Sequence, residues 1–510
     1  MTFKLTANNV AKGTLQISIS SIIQYVVIAL FYVAVTKTNT LTPADLGVLS
    51  ILTFIASAFT LFLLNLPTAL TKFVSEHLGR NELETAASVQ RTIVRIVVIV
   101  SLIGLALCTV LSTLLSQYFW GTTENATLVI LISISAFLTN LIALYSSGLR
   151  AFSLFGKMAT VTVIYIISSR VIGVILALLG FDVFGVVIGY VIGSFVGLIA
   201  AISFIHGKFP IPRNKASIRP ILQFSLPLFM GSLATFVLSQ VDIIVIASYT
   251  LDYTLVGIYS IAVKSLSVLT IITTPIMTTI FPLISAKFGL EKQGASNVVK
   301  TTSRFLSYTI IPCSVILAVI APTALEVFYG SQYVSGATSL AILSISTIIM
   351  SFFTLFTTAL IAMGKTRQVL QINLISAFVA VTLLVSFVPF FDVVGAAFAR
   401  LIAYTLSLVL ATYVIRKFMS CYFDREALWK SIIASMATAP FLFVLEFMIT
   451  MNFSIVDLLA VEILIGGLIY LISLYALKAL NAQDFELLRQ SFPKSFSKII
   501  DSIQKVMARE

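Results

Sequence analysis

Seven charged residues fall inside long apolar runs: Arg95, Arg170, Asp242, Lys264, Arg400, Glu446 and Glu462. A charge near the centre of a bilayer costs roughly 2.5–3.5 kcal/mol on insertion scales. A chain keeps one there for a partner, a wet cavity or a task. Arg170 and Arg400 carry guanidinium groups, which stay protonated and bind phosphate bidentately. The competing reading is a structural bond to backbone carbonyls or to a neighbouring acid. Asp242 and Lys264 lie on consecutive apolar runs, about 9 Å and about 12 Å below the same end at 1.5 Å per residue. That depth permits an ion pair locking the hairpin, or two cavity charges that meet an anionic group or a coupling cation (H+ or Na+). Gln16, Ser20 and Gln24 recur every fourth residue, a polar stripe that reads as cavity lining or as a helix–helix contact. Arg95 can snorkel to the helix end. Glu446 and Glu462 read as structural or interfacial.

Other chemistry finds no footing. Cys108, Cys313 and Cys421 form no CxxC or metal-ligand spacing, and His77 and His206 sit at helix ends. No nucleotide or metal motif is present, so no cofactor and no catalysis are expected.

The elements that must position these residues are membrane helices. Of 510 residues, 59% are hydrophobic and 10% charged, against about a quarter charged in a soluble domain. Mean hydropathy is +1.08. Reading for runs of about 20 apolar residues predicts fourteen spans, from Thr14–Thr36 to Leu458–Leu477. The first run is long enough to span and reads as a helix, not a cleaved leader. Basic residues test the count. Of 32 lysines and arginines, Arg95, Arg170, Lys264 and Arg400 lie within spans and Lys37 lies in a loop of one side. All the rest fall on the other side, with both termini, which are therefore expected to be cytoplasmic. The net charge of +12 thus follows membrane topology and does not point to nucleic acid. The opposite loops carry Asp45, Glu124, Asp182, Asp252, Glu326, Asp392 and Asp457, and the sequons at Asn125 and Asn452.

Four motifs recur in order. Leu46-Gly-Val-Leu-Ser-Ile51 matches Val256-Gly-Ile-Tyr-Ser-Ile261, and Phe181-Asp-Val-Phe-Gly185 matches Phe391-Asp-Val-Val-Gly395. Between them, Pro67–Phe73 matches Pro282–Phe288, and Gly156-Lys157 matches Gly364-Lys365. An even number of spans per repeat orients both copies alike, as parallel repeats about an axis along the membrane normal. The expected organisation is an all-α integral membrane protein. It has an N-lobe (1–206), a linker (207–220), a C-lobe (221–418), two added helices (428–478) and an amphipathic cytoplasmic tail (479–510). The two six-helix lobes enclose a central cavity.

Gln240-Val-Asp242, Val256–Ala262 and Pro282-Leu-Ile-Ser285 resemble the start of the second lobe in oligosaccharide flippases. These form the polysaccharide transporter branch of the multidrug, oligosaccharidyl-lipid and polysaccharide exporter superfamily. The resemblance covers roughly Thr14 to Val414. It implies a V-shaped cavity lined by the first, second, seventh and eighth helices. It also implies transfer of an isoprenoid-diphosphate-linked oligosaccharide to the outer leaflet of the cell membrane by a monomer. Arg170, Lys264, Arg400, Asp242, Gln16, Ser20 and Gln24 are then the candidate substrate-binding residues, with the arginines suited to the diphosphate. A cation-coupled multidrug or metabolite exporter is the second reading. A membrane glycosyltransferase or polymerase is the third, disfavoured by short outer loops. The charged signature of a major facilitator carrier is absent between Leu66 and Arg91.

Overall fold

A computed structural model describes residues 7–211, 216–250, 252–290, 292–419, 422–449 and 454–479. The expected tail helix, Asn452 and the side chain of Glu446 lie outside the described residues. Among the described residues seventeen α-helices follow in order: α1 (Ala7–Lys37), α2 (Pro43–Phe59), α3 (Leu66–Gly79), α4 (Leu83–Val110), α5 (Ser112–Trp120), α6 (Ala126–Ala151), α7 (Phe155–Leu176), α8 (Asp182–Ile205), α9 (Ile218–Thr250), α10 (Tyr253–Ser265), α11 (Ser267–Leu290), α12 (Lys292–Val319), α13 (Ala321–Tyr329), α14 (Ala337–Ala362), α15 (Thr366–Ile415), α16 (Arg425–Ile449) and α17 (Ile455–Ala476). Twelve continuous helical stretches are long and apolar enough to cross a membrane. The protein is an all-helical, multi-pass membrane protein.

Two of those twelve stretches, Phe155–Ile205 and Thr366–Ile415, run to 51 and 50 residues. A straight helix of that length would reach about 75 Å, more than twice the hydrocarbon core. Neither is straight. Asp182 (φ 43°, ψ −132°) breaks the first and Asp392 (φ 47°, ψ −131°) the second. These residues occupy the same place in the repeated Phe-Asp-Val motif, and the repeat therefore preserves a rare backbone conformation along with its sequence. After the first break α8 folds back on α7. A Cβ added at Gly189 would lie 2.4 Å from the nitrogen of Gly173, and one at Gly193 2.4 Å from Ser169. Only glycines at this four-residue spacing let the two backbones touch.

The other motif pair meets itself. A Cβ at Gly47 of α2 would lie 2.0 Å from the carbonyl oxygen of Tyr253, and one at Gly257 of α10 1.8 Å from that of Pro43. Pro43 and Tyr253 begin α2 and α10, so the contact is reciprocal, as between copies related by a twofold.

The helix ends sort by charge. One end, the acid end, carries Asp45, Asp182, Asp252 and Asp392. The other, the basic end, carries Arg80, Arg150 and Arg416. At the acid end a single buried cluster joins both copies, from Phe31, Leu41 and Leu46 to Val256, Leu325 and Val388. Toward the basic end the packing divides. Leu66, Leu70 and Val74 centre one cluster, Leu149 and Val161 another, and Ile284, Leu306 and Phe356 a third. The packing is thus continuous at the acid end and divided into three clusters toward the other, the first of which also takes in Ile221 of α9.

Candidate functional site

Between the divided clusters lies a cavity of about 1180 Å³. It reaches the basic end, where Gly79, Arg150 and Ser153 line it. Its walls come from both sequence repeats: Ile17 and Tyr25 of α1, Thr71 and Ser75 of α3, Thr270, Thr274 and Thr278 of α11, and Ser351, Thr354 and Thr358 of α14. Tyr25 and Thr274 approach across it, 3.4 Å between hydroxyl oxygens. Most of these hydroxyls donate their proton to a helix carbonyl: Thr71 to Pro67, Thr270 to Ser267, Thr278 to Pro275 and Thr354 to Met350. What remains facing the cavity is oxygen lone pairs. These oxygens are uncharged acceptors set in a largely apolar lining of Ile17, Phe155, Met158, Met277, Phe281 and Met350, and they can take bonds from donor hydroxyls. Arg150 is the charged side chain of this lining, and no carboxylate is among the lining residues.

A second cavity of about 390 Å³ lies where α2 breaks from α3. Leu64 and Asn65 both have positive φ, 48° and 57°. Asparagine tolerates this conformation better than most residues. Its amide donates to the Leu228 carbonyl (3.1 Å) and to Ser232, tying the break to α9. Helix α9, the seventh predicted span, lines this smaller cavity and not the larger one.

None of the seven candidate residues from the sequence lines the larger cavity. Asp242 does not pair with Lys264. Its Oδ2 takes an ion pair from Arg400 of α15 at 3.0 Å and a hydrogen bond from the Tyr259 hydroxyl at 2.8 Å. Similar depth on consecutive helices left rotation undetermined, and α10 lies against α2, as the Gly257 contact requires. The cluster is buried, with Asp242 5% exposed. Its charges neutralise each other, so Arg400 and Asp242 form a structural bond between α9 and α15.

Among the described residues Arg170 and Lys264 have no carboxylate partner. The Arg170 guanidinium stacks over Tyr190 (4.1 Å) and Phe31 (5.0 Å), with Nε and one Nη buried and unbonded. Lys264 stands 6.0 Å from the ring of Tyr32. Two cations, one from each repeat, thus flank the adjacent rings of Phe31 and Tyr32, within the core that seals the acid end.

The polar stripe of α1 is turned away from the cavity. Ile17 and Tyr25 face it, and the stripe is offset by the 100° between successive helical residues. The Gln16 amide lies against α7, 3.0 Å from where a Cβ on Gly156 would stand. Ser20 is buried and donates to the Ile17 carbonyl. Gln24 is half-buried. The stripe thus serves helix packing. Arg95 is exposed on α4, and Glu462 is fully buried in α17.

Sequence reasoning missed the threonines. Thr270, Thr274 and Thr278 repeat every fourth residue, the same signal that drew attention to the α1 stripe.

Residues 39–338 match the family described as polysaccharide biosynthesis protein. The chain belongs to that family. The quoted motifs, the names of the relatives and the fold of the solved structures below all accord with a resemblance to the multidrug, oligosaccharidyl-lipid and polysaccharide exporter superfamily. Relatives include the "Probable low-salt glycan biosynthesis flippase Agl15" of Haloferax volcanii, 23% identical over 299 residues, 58% of this chain and 62% of that protein. The match therefore spans less than two thirds of that relative. An uncharacterized membrane protein of Methanocaldococcus jannaschii is 18% identical over 88% of this chain and 92% of its own length. Among solved structures, the lipid II flippase MurJ in an inward closed conformation superposes with a TM-score of 0.73 at 19% identity, covering 90% of this chain and 98% of that one. A multidrug resistance MATE family transporter, inward-facing, gives 0.61 at 16% identity over 81% and 98%. The chain shares its fold with these two solved transporters, and the Haloferax relative is named a probable flippase.

Proposed function

We propose that the protein flips a lipid-linked oligosaccharide from the cytoplasmic to the outer leaflet by alternating access. The observation carrying this reading is the cavity that reaches the basic end between the two repeats, its largely apolar walls set with serine and threonine acceptors and with Arg150 at the mouth and no carboxylate among the lining residues. A glycan crossing hydrocarbon would leave each hydroxyl without water or partner. Serine and threonine lone pairs replace that water without holding the sugar by charge. The lipid tail stays in the bilayer. The Haloferax volcanii relative, a probable glycan biosynthesis flippase by name, supports the substrate class.

In this reading the molecule has fourteen spans, because Phe155–Ile205 and Thr366–Ile415 each cross twice. Residues 1–206 and 221–418 form two like-oriented lobes joined by 207–220, and 428–478 adds two helices. The basic end is cytoplasmic, by the distribution of lysine and arginine. Arg150 meets the phosphate or diphosphate first, at the mouth. Arg170 and Lys264, held against rings and away from acids, receive it once the acid-end seal opens. The protein works as a monomer. Asp242, already neutralised by Arg400, is not a site for a coupling cation. A multidrug exporter of organic cations fits less well, since the lining residues include no carboxylate.

The test is loss of the gene. Lipid-linked sugar should accumulate on the inner leaflet and return to normal on re-expression. Arg150→Gln should restore it poorly. Normal outward transfer in the deletion strain would end the proposal.

A further inference from the structure

The far side of the cavity wall carries a different surface. Helix α14 turns Ser351, Thr354 and Thr358 to the cavity, and Phe352 and Phe356 to a groove of about 740 Å³. Leu408 of α15 and Trp429 of α16 complete its apolar walls, and Arg416 and Arg425 line it at the basic end. Both arginines are exposed. Among the described residues neither has a carboxylate partner, because the adjacent Glu426 pairs with Lys430. The groove is built in advance of any ligand. The Tyr422 hydroxyl accepts a hydrogen bond from Arg416 Nε at 2.6 Å, and Phe423 packs on Phe352 and Phe356 with ring centroids 5.3 and 6.1 Å apart. The next residue, Asp424, is fixed through its backbone N–H to Ser303 of α12 and caps α16 at Ala427.

We propose that this groove holds an anionic phospholipid of the leaflet at the basic end. Its headgroup phosphate lies between Arg416 and Arg425, and an acyl chain lies along Phe352, Phe356 and Leu408. The charge decides the occupant: two guanidiniums without acids beside an apolar trough match an anionic head and a hydrocarbon tail. Trp429, half out of the groove, has the amphipathic ring that settles at headgroup level. The lipid would brace α14, the wall that this groove shares with the cavity. The inference does not depend on what the cavity transports.

The experiment uses the full-length protein in neutral detergent, with phosphatidylglycerol and phosphatidylcholine of identical chains as probes. Binding is read by native mass spectrometry and by thermal unfolding. Phosphatidylglycerol should bind roughly 30-fold more tightly than phosphatidylcholine, from two basic contacts. The pair Arg416→Gln and Arg425→Gln should abolish that preference, whereas Arg416→Lys with Arg425→Lys should keep most of it. Leu408→Trp, which fills the trough and spares both arginines, should weaken both lipids. Arg150→Gln, in the cavity, should leave the preference for phosphatidylglycerol over phosphatidylcholine unaltered. Equal affinity for the two lipids would overturn the proposal. So would a preference that survives loss of both arginines or disappears with Arg150, or a polyprenyl lipid held in the groove instead.

Discussion

Replacing Asp242 by Asn should destabilise the protein, and replacing Arg400 as well should restore much of the loss. The ion pair is 3.0 Å long, and its side chains are 7% and 13% exposed. The Asp242→Asn change would leave the Arg400 guanidinium buried in a membrane helix interface without a counter-charge. Breaking one side of a buried pair costs about 3–5 kcal/mol. The Tyr259 hydroxyl, which donates to the same carboxylate oxygen, can still donate to the amide oxygen of the variant, so we expect the lower end, about 3 kcal/mol. Arg400→Met alone strands the Asp242 carboxylate and should also cost about 3 kcal/mol, whereas Asp242→Asn with Arg400→Met removes both charges and should cost only about 1 kcal/mol, giving a coupling of about 5 kcal/mol. The assay is thermal or denaturant unfolding in one detergent, taken around the full double-mutant cycle. The matching cycle of Asp242→Asn with Lys264→Met should show no coupling beyond about 0.5 kcal/mol. Additive effects at Asp242 and Arg400, or coupling between Asp242 and Lys264, would refute the assignment of the pair.

Thr274→Val and Thr278→Val each remove a hydroxyl acceptor from the cavity. Outward transfer of lipid-linked sugar should fall by roughly 2- to 10-fold for each, with unchanged protein in the membrane. Arg170→Gln or Lys264→Gln should slow transfer while leaving retention of substrate at the basic end intact, as read by leaflet-specific accumulation. Gly257→Val sets a branched side chain against the Pro43 carbonyl, where even a Cβ would come within 1.8 Å. It should cost about 1–3 kcal/mol and hold the acid ends of α2 and α10 apart, detectable as new cysteine accessibility there.

Much of the architecture was legible because it repeats or because lipid enforces it. The Phe-Asp-Val motifs at 181 and 391 placed two turns that the structure builds with matching backbone angles at Asp182 and Asp392. The Gly47 and Gly257 motifs proved to be the contact between the copies. The site was harder to read, since depth along a helix can be counted from sequence while rotation about it cannot. Asp242 and Lys264 share a depth and face different neighbours. Gln16, Ser20 and Gln24 form the expected stripe, one residue's rotation away from the cavity face marked by Ile17 and Tyr25. Charge drew attention first, whereas the polar points of the largely apolar cavity wall are mostly hydroxyls, which an apolar helix tolerates at little cost because its own carbonyls accept their protons.

The glycine crossing of α2 and α10 has a mechanical consequence. With backbone resting on backbone and no side chain between, this crossing forms a fulcrum within the broad buried cluster that joins the two halves near one membrane face. Long rigid arms extend from it toward the other face. A slight roll at the fulcrum therefore becomes a wide sweep at the far tips, and bulky cargo can be admitted without the pivot itself coming apart.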